Sequence, residues 1–81
     1  MKLPRDVSGA KLVKALAALG YRPTRQSGSH IRLTCEAPRQ HHITIPNHGQ
    51  LRVGTLAAIL GDVAAHHALD RDVLVERLFG R

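Results

Sequence analysis

Apolar residues recur at helical spacing near the start of the chain, alternate in the middle, and return to helical spacing towards the end. Leu12, Val13, Leu16 and Leu19 share one helical stripe, with Lys11 and Lys14 off it. Ser8 is placed to cap this helix, Val7 and Leu12 have the spacing of a hydrophobic staple, and Gly20 suits the left-handed residue that follows a helix. The pattern predicts a helix from about Gly9 to Leu19. Three short strands follow. Tyr21 to Gln26 is the weakest, since Pro23 confines it to an edge or a strand start. His30 to Cys35 alternates, with Ile31, Leu33 and Cys35 on one face and His30, Arg32 and Thr34 on the other. His42 to Ile45 alternates too, with Ile43 and Ile45 inward and His42 and Thr44 outward.

After a loop at 46–50, Leu51 to Val63 reads as a second helix, with Val53, Leu56, Ile59, Leu60 and Val63 on its buried stripe. Gly54, unfavourable inside a helix by about 1 kcal/mol relative to Ala, is expected in the first turn, where backbone comes close to something. Residues 64–69 are expected to link to a third helix capped by Asp70, stapled by Leu69 and Leu74 and ended by Gly80. The fold class predicted is α+β: a three-stranded antiparallel sheet with helices over one face and the other face open.

At 81 residues the chain is one domain at most. Its formal charge is +6, and the basic residues are unevenly spread. Residues 1–52 hold nine Lys and Arg against Asp6 and Glu36, whereas residues 53–81 hold three against four acids. That asymmetry suits a polyanion on one face, or a solvated surface with an excess of Arg. One Tyr and one Phe are too few for a platform that stacks single-stranded bases. No apolar run is long enough to span a membrane, and the residues from Met1 to Asp6 lack a signal-peptide pattern, so the expected compartment is the cytoplasm.

By alternation, the open face carries His30, Arg32, Thr34, His42 and Thr44. Imidazole moves a proton near neutral pH, and guanidinium binds phosphate and stabilises its transition-state charge. RNA supplies its own nucleophile, the 2′-hydroxyl, so such a face can cleave a phosphodiester without a metal or a protein nucleophile. The plainer reading is that exposed strand positions take polar residues. Gly28-Ser29-His30 is sharper, because a tight turn at Gly28 sets His30 at the rim of a rigid sheet.

With Gly28-Ser29-His30-Ile31 entering a strand, His42-Ile43-Thr44-Ile45-Pro46 ending one, and Gly54-Thr55-Leu56 opening a helix, the chain resembles the HicA toxins. These are the ribonucleases of HicA–HicB toxin–antitoxin pairs. The resemblance covers about residues 8–63 and implies a fold like a double-stranded-RNA-binding domain, helix, three strands, helix; the chain departs from the shortest members by a further C-terminal helix at about 70–79, all within one domain spanning 1–81. The resemblance also implies a metal-independent endoribonuclease that cleaves mRNA, with His30 as the catalytic histidine; because one imidazole cannot easily both take and give a proton, a helper such as His42, or water, is expected. The basic residues and the rim turn are expected to contact RNA phosphates through Lys11, Lys14, Arg25, Ser29, Arg32, Arg39 and Arg52, no cofactor is expected, and the resemblance implies a HicB-type antitoxin as the partner in a hetero-oligomer. A non-catalytic RNA-binding module using the same face is the alternative.

Six histidines invite a metal reading, but the pairs His41-His42 and His66-His67 are adjacent, and neither has the spacing that puts two ligands on one helical face. No metal site is therefore expected. Ser29 and His30 point to opposite faces, Cys35 is expected in the core, and His48 is expected as an exposed loop residue. In the third helix, Leu74 and Leu78 are expected to dock on the chain's own core, with contact to a partner as the alternative.

Overall fold

The computed structural model describes residues 3, 4 and 6–80; Met1 and the charged Lys2, Arg5 and Arg81 counted above lie outside them. Ser8 has extended backbone, and its hydroxyl oxygen accepts from the Lys11 amide at 3.0 Å, so the first helix, α1, begins at Gly9 and runs to Leu16. A single 3₁₀ turn over Ala17–Leu19 completes it. Gly20 then takes φ +87°, the left-handed conformation expected of it. Leu12 and Leu16 are fully buried, and so is Val7, at the staple position.

Strands β1 (Arg22–Ser27), β2 (His30–Cys35) and β3 (His41–Pro46) form one antiparallel sheet in that spatial order. Tyr21, assigned to the first strand by pattern, instead turns its side chain into the core and is 1% exposed. The first strand also carries an irregularity that alternation did not reveal. The register shifts between Pro23 and Arg25, leaving Thr24 as the extra residue of a bulge. Pro23 has no N–H to give the ladder, which is why the disruption falls at this edge position.

Helix α2 spans Val53–His66, three residues beyond the predicted end at Val63. Ala64 and Ala65 are strong helix formers, and burial of Ala64 carries the helix on. Two further expectations fail. Val53 is 68% exposed, because the first turn of α2 overhangs the core. Gly54 does lie in that turn, but nothing stands within 4 Å of where its Cβ would be, so no close approach explains it. Helix α2 ends with Ala68 at φ +54°; the amides of Leu69 and Ala68 bond the carbonyls of Ala64 and Ala65 at 2.9 and 3.3 Å. That is a Schellman ending with Ala in the place usually taken by Gly. Helix α3, Arg71–Phe79, is capped by the Asp70 carboxylate, which accepts from the Asp72 amide at 2.8 Å.

The three helices cover one face of the sheet. Leu12 and Leu16 of α1, Leu56, Leu60 and Val63 of α2, and Leu74 of α3 meet Leu33, Cys35, Ile43 and Ile45 in one buried cluster. Leu74 is fully buried and Leu78 packs partly against the cluster, so the third helix docks on the chain's own core. At one end of the sheet the packing leaves no room for a side chain on α1. A Cβ on Gly9 would run into the Pro46 carbonyl oxygen and the Asn47 Cα. No helix among the described residues is long and apolar enough to cross a membrane.

Candidate functional site

The β1–β2 connection is a two-residue turn. Gly28 takes φ +58° as its first central residue, the position where a glycine-led hairpin turn requires it, and Ser27 pairs with His30 across the ladder. The Asn47 amide donates to the Ser29 carbonyl at 2.6 Å, tying the loop after β3 to this turn. His30 is thus held at the sheet's rim, exposed, with Ser27 and Pro46 as its two cross-strand neighbours.

Two positions along the same face, Arg32 stands opposite Arg25 on one side and Thr44 on the other. Like charges set directly opposite on adjacent strands repel. No acid relieves them: the single ion pair among the described residues is His41–Asp62, at 3.3 Å. His30, Arg25 and Arg32 therefore form one exposed, uncompensated basic patch, whose arginines have a free fork of donors for a phosphate.

Further along, the face is occupied by a chain of side-chain hydrogen bonds. Thr24, displaced by the bulge, lies 2.8 Å from the Thr34 hydroxyl, which lies 2.8 Å from His42 Nδ1. These contacts leave Thr34 only 5% exposed although it points to the open face. The structure does not bring His42 beside His30. His42 pairs with Thr34, four residues from His30 along β2, or roughly 13 Å at the usual strand rise. A direct proton relay between the two histidines has no geometric basis.

The other basic residues are dispersed. Lys11 and Lys14 line a shallow groove with Pro4, Leu78 and Phe79 between α1 and α3, on the helical side of the sheet. Arg39 lies in the β2–β3 loop, at the far end from His30. Arg52 precedes α2 at the His30 end, where the Leu51 amide bonds the Val7 carbonyl at 2.8 Å. His48 is exposed in the loop that Asn47 ties to Ser29, and its carbonyl accepts from the Gly9 amide at 2.9 Å. The strand register sets His42 four positions from His30, while backbone bonds hold the loop of His48 at the His30 end of the sheet.

At the opposite end of the sheet lies a second polar cluster, which sequence spacing did not reveal. The Tyr21 hydroxyl is 2.6 Å from His41 Nδ1 and 3.1 Å from His67 Nε2. His41 Nε2 donates to the Asp62 carboxylate at 3.3 Å, and His66 Nε2 donates to the Arg39 carbonyl at 2.9 Å. The rings of His41 and His66 stack with centroids 4.1 Å apart. Burial, and then the neighbouring Cys35 thiol and Asp62, push the Tyr21 hydroxyl well above its ordinary pKa. Burial, and then His66 and His41, lower that of His67. The signal was present only as a coincidence of ends: Cys35 closes β2, His41 opens β3, and α2 finishes beside them.

Fold and open face define a small α+β domain with a histidine and an unpaired arginine couple at one rim of its sheet. The chain belongs to the HicA toxin family: the family model described as "HicA toxin of bacterial toxin-antitoxin" matches residues 9–64. It is thus a member of a family of toxins from toxin–antitoxin systems, and that membership implies an antitoxin partner. No curated protein and no solved structure matches it. The matched residues include Gly28-Ser29-His30 and the whole sheet; His66, His67 and α3 lie beyond them.

Proposed function

We propose that the chain is an endoribonuclease toxin that cleaves mRNA by proton transfer at His30. The observation that supports this most directly is the placement of an exposed histidine on a rigid turn two positions from the opposed Arg25 and Arg32. In this reading the arginines hold a backbone phosphate and offset the charge that grows on it. The 2′-hydroxyl of the RNA attacks phosphorus, the O2′–P bond forms and the P–O5′ bond breaks. The proton leaves the 2′-oxygen and one is delivered to the 5′-oxygen, giving a 2′,3′-cyclic phosphate and a free 5′-hydroxyl. His30 performs one of these transfers. His48, in the loop at the same end, is the better candidate for the other. The RNA path is centred on Arg25, Ser29, Arg32 and Arg52. Lys11, Lys14 and Arg39 give only peripheral attraction. A HicB-type antitoxin would inhibit by covering the rim, with carboxylates against Arg25 and Arg32.

Cleavage of a long RNA in EDTA by the purified protein tests this. His30→Ala should slow cleavage at least ~100-fold, the lower end for loss of a positioned acid or base, with the fold retained. Equal rates for variant and parent would refute the assignment of His30. A parent that binds RNA in a salt-dependent way without cutting it would identify a binding module instead.

A further inference from the structure

We propose that Cys35, His41 and His66 form a zinc site at the end of the sheet away from His30. The donors come from the end of β2, the start of β3 and the last turn of α2. One ligand atom from each lies within 4.8 Å of the other two. Tetrahedral zinc holds sulfur and nitrogen donors roughly 3.3–3.6 Å apart, so the set closes by drawing the side chains together and turning one imidazole.

Each ring already has the tautomer of a ligand, and because the two stack at 13° between planes with centroids 4.1 Å apart, one must turn for both lone pairs to meet a single ion. A carbonyl oxygen only accepts, so His66 donates from Nε2 to Arg39 and keeps its lone pair on Nδ1. The Asp62 carboxylate fixes His41 in the same tautomer, with the Nδ1 lone pair met by the Tyr21 hydroxyl. Histidines that bind metals are held in this way, one ring nitrogen donating to a carbonyl or carboxylate and the other free for the ion. Cys35 is 1% exposed, and its thiol donates to the Ala37 carbonyl at 3.7 Å. Nitrogen and sulfur donors exclude magnesium and calcium and suit zinc. On binding, the Cys35 thiol releases its proton to solvent and its thiolate bonds the ion, and the Tyr21 hydroxyl gives up His41 Nδ1. The fourth position is left to water or to that hydroxyl.

Such a site clips α2 to the β2–β3 loop just before the turn into α3. Cys35 and His41 lie within the residues matched by the family and His66 lies just beyond them, so one donor of the three comes from outside the match. Cys35 and His30 are separated by the length of β2, roughly 17 Å, so the role is structural.

The test uses the full, tag-free chain stripped with EDTA and titrated with zinc chloride, and separately with cobalt(II). The expected result is one equivalent bound, a higher melting temperature with zinc, and thiolate-to-cobalt charge-transfer absorption. His66→Gln, at a half-buried helix end, should weaken zinc binding at least ~10-fold, and Cys35→Ser should abolish the charge-transfer band. His42→Gln, adjacent in sequence but on the other face, should bind like the parent. Circular dichroism establishes that each variant is folded. Absence of a bound equivalent in the parent, or full affinity in folded His66→Gln, would overturn the site. RNA cleavage by the stripped protein is read separately, so the ribonuclease reading and the zinc site fail independently.

Discussion

Arg25 and Arg32 face each other across adjacent antiparallel strands, and no carboxylate among the described residues pairs with either. A folded protein gains nothing from that opposition, which costs roughly 0.2–1 kcal/mol unless an anion lies between the two. Arg25→Gln should therefore leave stability unchanged or slightly raised, while RNA binding weakens and its salt dependence flattens by about one phosphate contact. Urea unfolding and a salt titration of RNA affinity measure the two effects. Lower stability with unchanged RNA affinity would show that the pair is not a phosphate site.

The two other histidines near the open face should separate kinetically. His48→Ala is expected to slow cleavage by ~100-fold or more, as loss of a second proton-transfer group does, while His42→Ala costs less than ~10-fold. Single-turnover rates at saturating protein read this directly. A large loss at His42 alone would mean that the RNA bridges the four strand positions between it and His30.

Gly9 is required by packing, not by its backbone angles. Gly9→Ala forces a methyl group against the Pro46 carbonyl, where only backbone can yield. The expected cost is about 1–3 kcal/mol, seen as a lower urea midpoint. Cleavage should fall with it, because the same strain displaces Asn47 from the Ser29 carbonyl.

Ala68 works the other way. It holds φ +54° at the end of α2, a conformation that costs a residue with a Cβ roughly 1–2 kcal/mol. Ala68→Gly should raise the melting temperature, by an amount reduced by the entropy glycine loses on folding. An unchanged or lower melting temperature would show that the turn is not strained.

Much of the architecture was legible because local signals agreed with one another. Ser8 and Asp70 cap the helices that their positions predict, Gly20 and Gly28 take the positive φ expected of them, and β2 has the predicted limits. The errors fall where tertiary packing overrides pattern. Ala64 and Ala65 read as a linker until α2 is packed on the sheet, and Val53 matched the buried stripe by spacing but lies beyond the edge of what α2 covers. The bulge at Thr24 could not be read from alternation, because an extra residue alters which face every earlier residue occupies. In the candidate site, His30 and its turn were visible locally. The relation of His42 to His30 depends on strand register, and the grouping of Cys35, His41 and His66 on where α2 ends, neither of which is encoded in spacing within one element.

The loop after β3 is held by three backbone bonds: Asn47 to Ser29, Gly9 to His48, and Leu51 to Val7. Measured by deuterium uptake, these three amides should exchange with the slow helices and strands and not with ordinary surface loops. The segment carrying His48 is then as stiff as the hairpin carrying His30, and both present a surface set before any ligand arrives. Little ordering remains to be done on binding, so in the proposed function an inhibitor that matches the empty rim meets nearly the same shape as an RNA substrate would.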